Sequence, residues 1–343
     1  MTFELLKLLC EQNGISGRES SIVNAVKSYL SEFESATDAL GNLLVTVKKP
    51  ERGQKTVLLE AHADRIGLVV TSFLENGFVR VAKAGGIDAL TLMGSEILIG
   101  GKNAEVIPGV IAAPFPYPAK PHNSAPTSEY KMPEISDMFV DTGLENPKKF
   151  IEQGAECVMK GTVQKLIGSR VAAPGLDNRA GCTAIILAAK ALAEAELNVG
   201  VTLLFSSREE IGGMGAMTGG FGAAPDYAIA VDVGFAISPD VTDKDACEMG
   251  KGPEIDIAAL LDESLTNSII ETAKNKNIPH QLFVAPSRGT GTDADEITVV
   301  ASGIKTALVS IPLRFMHHPV EVVDIADIES TAMLLAEHVK GMK

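Results

Sequence analysis

The chain contains no tryptophan, and aromatic residues make up only 5% of its 343 positions. A sugar cleft built on stacked rings has little to draw on here. Its four cysteines (Cys10, Cys157, Cys182 and Cys247) are scattered, with no Cys-x-x-Cys pair. That spacing disfavours a thiolate zinc site or a disulfide framework and suits buried thiols in a reducing compartment. Positive charge is scarce: 30 Lys and Arg face 44 Asp and Glu, for a formal net charge of −14. Nucleic acid and anionic lipid both need a basic face, so neither is an expected partner. No segment offers about 18 uninterrupted apolar residues for a membrane span. The opening MTFELLKLLCEQNG lacks the basic start and cleavage site of a signal peptide, so the cytoplasm is the expected location. Gly-x-Ser-x-Gly and His-Glu-x-x-His are missing too, which disfavours a serine hydrolase and a helical zinc protease.

What is present is an ordinary soluble mixture, 45% apolar and 22% charged, long enough for two domains. The apolar period predicts helices over 2–11, ended by Asn13-Gly14, and over 19–33, with Ile22, Val23, Val26, Tyr29 and Leu30 on one face. Strands are predicted at 42–47 and 56–61, the second (TVLLEA) being a run suited to a sheet covered on both faces. Over 70–165 the texture changes to short β-like runs, glycines and a proline-rich loop, AAPFPYPAKPHNSAP. This reads as an inserted, mostly β domain. Helices then follow at 179–194, 265–275 and 325–340, and strands at 201–205, 227–233, 281–285 and 305–311. The alternation predicts an α/β domain, residues 1–69 and 166–343, with a mainly parallel sheet and helices on both faces.

Ligand-type residues follow several of these strands: His62-Ala63-Asp64, Glu209-Glu210, Asp232 and His317-His318, while Asp177 precedes the helix at 179. In open α/β sheets the ligand crevice lies at the carboxyl ends of the strands, so these segments can converge. Two histidines with several carboxylates and no thiolate suit zinc, cobalt or manganese. His62 and Asp64, two apart in an extended chain, point the same way, and the carboxylate can accept the second ring N–H of a ligating histidine. Glu209 and Glu210 would point oppositely, reading as one ligand and one general base. Singly, each has a blander reading: a chance His-x-Asp, a solvated Glu-Glu turn, loop histidines, a helix cap at Asp177. Their joint placement carries the inference.

The series EAHADRIGLVV, GLDNRAGCTA, SSREEIGGMGA, AIAVDVG, GTGTDADEI and IPLRFMHHPVEVVD resembles the tetrahedral aminopeptidases, metallopeptidase family forty-two, which include glutamyl and deblocking aminopeptidases. The likeness runs nearly end to end, taking in GNLLVTVK and GGIDALTLMGSEILI. It implies that His62, Asp177 and Asp232 hold one divalent ion and that Asp177, Glu210 and His317 hold a second, with Asp177 bridging. It makes Glu209 the general base and Asp64 the partner of His62. Two ions about 3.5–4 Å apart share and acidify a water, whose proton Glu209 takes and later passes to the leaving amine. The implied substrates are short peptides with a free amino terminus. The implied assembly is a homo-dodecamer in which a β-barrel-like insert at 70–165 serves oligomerisation and access. Two positions depart from the family: Arg65 stands where an acidic residue is common, and His318 where a small hydroxyl residue is. Arg65 and Arg288 each lie beside a site motif, where they either pair with an acidic substrate side chain or are satisfied by a neighbouring carboxylate.

Three other readings compete. Residues 289–294 fit the G-x-G-x-x-A of a dinucleotide loop, although Asp293 would set a negative charge beside the pyrophosphate. GGMGAMTGG fails that pattern at Thr218 and reads as a glycine-rich turn that lets backbone approach a substrate. An endoglucanase-like two-carboxylate enzyme is weakened by the paucity of aromatics. A non-catalytic metal-binding assembly protein is weakened by the presence of Glu209 together with every proposed ligand.

Overall fold

The computed structural model describes residues 1–114, 133–239, 241, 246–285 and 289–343, and the chain divides into two units. The first comprises Met1–Arg65, Thr162–Met316 and Val320–Lys343, the second Ile66–Gly161 with His317–Pro319. Most of the proline-rich stretch and Arg288 lie outside the described residues.

The first unit opens with helices α1 (Thr2–Cys10) and α2 (Ser20–Tyr29), which bury Leu5, Leu6, Leu9, Ile22, Val23 and Val26. Helix α2 is shorter than its apolar period suggests, because the chain turns at Leu30 into edge strand β1 (Glu34–Thr37). Strands β2 (Leu43–Lys48) and β3 (Thr56–His62) follow.

The second unit carries β4 (Gly67–Phe73), β5 (Phe78–Ala84), α3 (Ala89–Leu92), β6 (Glu96–Gly100), β7 (Val106–Ala112), β8 (Phe139–Asp141) and β9 (Glu156–Met159). Its six strands close into an antiparallel barrel in the order β4-β5-β8-β7-β6-β9. Alternation along β7 sets Ile107 and Ile111 inside and Val106 and Val110 outside, the two-residue period of a strand with one buried face.

The first unit resumes with β10 (Gln164–Lys165), β11 (Arg170–Ala173), α4 (Leu176–Ala193), β12 (Gly200–Ser206), α5 (Met214–Ala223), β13 (Tyr227–Phe235), β14 (Glu254–Ile257) and α6 (Glu263–Lys276). It ends with β15 (Gln281–Val284), α7 (Asp293–Thr298), β16 (Lys305–Arg314), β17 (Glu321–Asp324) and α8 (Ile325–Gly341). The sheet runs β1-β2-β12-β3-β13-β16-β17-β11-β10, with β14 beside β16 and β15 beside β14. Its centre, β12-β3-β13-β16, is parallel. The pairs β1-β2, β2-β12 and β16-β17 are antiparallel, as is β14 with β16, while β14 and β15 are parallel; a short turn such as 315–320 between β16 and β17 can join only antiparallel neighbours. One face presents Leu59, Leu203, Ile229 and Val309 to the core shared with α1, α4 and α8. The other presents Leu58, Leu204 and Ala228 to Ala216 of α5 and Ile297 of α7.

The stretch expected as a glycine-rich turn is therefore the helix α5. A Cβ on Gly219 would sit 2.6 Å from Leu204 Cδ1, and one on Gly215 would sit 2.1 Å from the Ser207 carbonyl oxygen. These glycines let the helix lie close on β12 and the loop after it, a tertiary need that local pattern does not announce.

Candidate active site

His62 is the last residue of β3, and the lateral register sets Ser206 beside it and Ser310 beside Asp232. His62 Nε2 lies 3.1 Å from Asp177 Oδ1, 3.5 Å from Asp232 Oδ1 and 4.0 Å from Glu209 Oε2. On the other side of the ring, Nδ1 lies 3.1 Å from the Asp64 main-chain oxygen and 3.7 Å from its carboxylate. The hydrogen-bonding partner is thus the carbonyl of Asp64 rather than its side chain. With Nδ1 turned to that carbonyl, Nε2 is the ring atom presented to the carboxylates. Burial disfavours the imidazolium, but the charges of Asp232 and Asp177 outweigh it and hold the pKa well above the ordinary histidine value.

The Asp64 carboxylate serves the next loop instead. It accepts from Ser16 Oγ (2.6 Å) and from the main-chain N–H groups of Glu209 (3.0 Å) and Glu210 (3.3 Å). Glu209–Ile211 form a single 3-10 turn, entered through Arg208 in a left-handed conformation (φ 61). The two carboxylates leave a turn, so the extended geometry expected for them does not hold. Arg208 keeps this costly backbone because its guanidinium donates to the Leu40 carbonyl oxygen and its N–H to Glu19. Burial, reinforced by the negative charges of Asp232, Asp293 and Asp177 and opposed by His62, pushes the Glu209 carboxyl up to about 9. Burial and the Asp177 charge likewise raise Glu210 well above the carboxylate range.

Asp177 stands at the start of α4 but outside helical geometry (φ −77, ψ 104), as does Asn178. Its N–H donates to Glu321 Oε2 at 3.0 Å, and Asn178 Nδ2 donates to the Val231 carbonyl at 2.8 Å. His317 lies in the turn after β16 with a left-handed backbone (φ 61), followed by His318. A Cβ on Gly86 would fall 2.8 Å from His317 Nδ1, so glycine leaves room for the ring.

Donor atoms of His62, Asp177 and Asp232, all buried, lie within 4.8 Å of one another, and those of Asp177 and Glu210 lie within 4.8 Å of each other. Acidic groups crowded out of water repel one another, and a divalent cation would relieve that repulsion. The donors are nitrogen and oxygen without sulfur, a set that fits zinc, cobalt or manganese.

A buried pair beside the site escaped the sequence reading. Ser206 Oγ lies 2.7 Å from Glu60 Oε1 and 2.5 Å from Asp293 Oδ2. Burial raises Glu60 well above its ordinary range and takes Asp293 up to about 7. The available signal was a glutamate inside the apolar run TVLLEA, two residues before His62 and therefore on its face of the sheet. The dinucleotide reading of 289–294 also falls. The N–H groups of Thr290 and Gly291 already donate to the Asp295 carboxylate, and Asp293 is buried. Arg65 is 4% exposed and packs against Gly175, which removes it as a contact for a substrate side chain.

Histidine and carboxylate donors at the exits of parallel strands, with a further carboxylate beside them, define a metal-dependent hydrolase. Residues 41–334 match the M42 glutamyl aminopeptidase family, and the chain belongs to it. It is 33% identical to a putative aminopeptidase of Acetivibrio thermocellus, over 98% of this chain and 97% of that one. Identity to the lysyl aminopeptidase of Pyrococcus furiosus is 32%, covering 99% and 98%. Among solved structures, the Pyrococcus horikoshii TET1 peptidase, described as assembling into a tetrahedron or a large octahedral shell, superposes with a TM-score of 0.86. Its identity is 30%, over the whole of both chains. The chain is accordingly a metallo-aminopeptidase.

Proposed function

We propose that the chain removes the amino-terminal residue of short peptides by a two-metal mechanism with Glu209 as general base. The observation that carries this reading is that Asp177 lies within 4.8 Å of donor atoms of His62, Asp232 and Glu210 while Glu209 stands beside them, 4.0 Å from His62 Nε2. His62, Asp177 and Asp232 would hold one ion; Asp177, Glu210 and His317 would hold the other. Zinc or cobalt suits the donors best, and manganese is compatible. When bound, such a pair acidifies a water and polarises the scissile carbonyl. Glu209 accepts the proton of the attacking water and returns it to the departing amine. Asp64 sets the position of Glu209 through its N–H. The crevice carboxylates attract a free α-amino group, which an internal peptide bond does not offer.

The reading extends to a cytoplasmic homo-dodecamer. Assembly of the TET1 relative into a tetrahedron or a large octahedral shell supports it. So do Val106 and Val110, 56% and 46% exposed on the outside of the barrel unit, since apolar side chains clustered on a surface mark contact faces. No described helix is long and apolar enough to cross a membrane. The test is metal removal followed by reconstitution with zinc, cobalt or manganese, assayed on aminoacyl anilides and their N-acetylated counterparts. Activity restored on free amino termini alone is the expected result. Equal turnover of the acetylated substrates, or full activity of the metal-free protein, would overturn it.

A further inference from the structure

We propose that Glu321 is the positioning residue for Asp177, fixing through the main chain the one side chain common to both donor groups. The proposal rests on the two-metal reading above. Helical geometry in α4 is interrupted at Asp177 and Asn178, and the first N–H groups of a helix have no acceptor within it. The Asp177 N–H must therefore find an acceptor elsewhere. Glu321 Oε2 supplies it at 3.0 Å, with Asp177 5% and Glu321 1% exposed.

The topology explains why this residue can do it. Glu321 opens β17 and pairs with Ala173, the last residue of β11, and the chain then runs through Pro174 and Gly175 to Asp177. Gly175 is left-handed (φ 69), and a Cβ there would meet Arg65 Cδ at 2.6 Å. Residues 173–177 are thus held by strand pairing with β17, by packing of Arg65 against Gly175 and by the carboxylate of Glu321. Glu321 also lies four residues after His317 in sequence. A shift of Asp177 displaces a donor from both groups at once. A shift of Asp232 or His317 displaces a donor from one.

The test compares wild type with Glu321→Gln, Glu321→Asp and Glu321→Ala, each prepared metal-free and titrated with zinc and with cobalt by calorimetry and visible absorption. Glu321→Gln keeps an acceptor oxygen at the same reach and should stay within a few-fold of wild type. Glu321→Ala and Glu321→Asp, which lose the oxygen or its reach, should weaken both positions together by about 10–100-fold, the usual cost of losing a partner that orients a ligand. The bound-cobalt spectrum should change with them. Should Glu321→Ala fail to fold, Glu321→Asp against Glu321→Gln carries the comparison. Unchanged affinity and cobalt spectrum in the shortened variant, with only a lower melting temperature, would overturn the proposal, because that is what a merely structural carboxylate would show. If wild type takes up a single ion, the two-metal reading fails, and Glu321 is still tested on the ion that binds.

Discussion

The carboxylate of Asp64 accepts hydrogen bonds from the main-chain N–H groups of both Glu209 and Glu210, at 3.0 and 3.3 Å. A single side chain at the exit of β3 thereby sets the turn after β12. In Asp64→Asn one acceptor oxygen becomes an NH2 group that repels an incoming N–H. We expect kcat to fall by about 10–100-fold, on the scale of losing an orienting partner, and stability to fall by about 1–3 kcal/mol for the buried donor left without an acceptor. Steady-state kinetics at saturating metal would decide it, and wild-type kcat in this variant would refute the arrangement.

Glu209→Gln preserves the shape of the side chain but cannot accept a proton. The expected loss in kcat is about 10²–10⁴-fold, the usual contribution of a general base, with metal content near that of wild type. If metal analysis showed depletion in Glu209→Gln and none in Glu210→Gln, the two roles would have to be exchanged.

Asp177→Ala should empty both metal positions on dialysis, whereas His317→Ala should empty mainly one. Retention of two ions by Asp177→Ala would rule out its sharing. Depletion in His318→Ala with none in His317→Ala would move the donor by one residue.

His338 gives a stability signature. It is buried against α6, with Nδ1 3.1 Å from Thr272 Oγ, and burial lowers its pKa from 6.5 to about 4. The folded chain refuses a proton that the unfolded chain accepts below about pH 6.5. Its contribution is therefore fully present above that pH and is lost as pH falls toward 4, amounting to roughly 3 kcal/mol by the lower limit. Urea midpoints measured from pH 7 to pH 5 should fall more steeply in wild type than in His338→Gln. Parallel curves would contradict the assignment.

Two glycines of α5 should respond oppositely to alanine. Gly215→Ala drives a methyl toward the Ser207 carbonyl oxygen at 2.1 Å and Asn42 Oδ1 at 2.5 Å. We expect a loss of about 1–3 kcal/mol from overpacking, together with reduced kcat, since Ser207 lies two residues before Glu209. A Cβ on Gly222 meets nothing within 4 Å, so Gly222→Ala should gain about 0.5–1 kcal/mol. Thermal melts of the pair would read both signs.

These contrasts show where the sequence was informative. The central strands β3, β12 and β13 are covered on both faces, so they appear as apolar runs such as TVLLEA and VTLLF. Their exits are abrupt, which is why His62 and Asp232 could be placed at strand ends. Helix α5 was hidden because glycine weakens the local helical signal, and its glycines answer to Leu204 and Ser207 on other elements. The left-handed backbone of Arg208 was invisible for the same reason, being held by Leu40 and Glu19. The bond from Asp177 to Glu321 spans 144 positions along the chain, and no short-range pattern encodes it.

The enclosed thiols have a practical corollary. Cys10, Cys157, Cys182 and Cys247 are all buried and free. Desolvation takes the first three up to about 12 and raises Cys247 as well. At neutral pH a thiol with such a pKa is ionised in only about one molecule in 10⁵, leaving almost no nucleophile for an alkylating dye. A cysteine introduced at exposed Met333 would therefore be the preferred attachment point for a maleimide fluorophore in the otherwise native chain. Subunit exchange between donor- and acceptor-labelled populations could then be followed by energy transfer without first deleting any native cysteine.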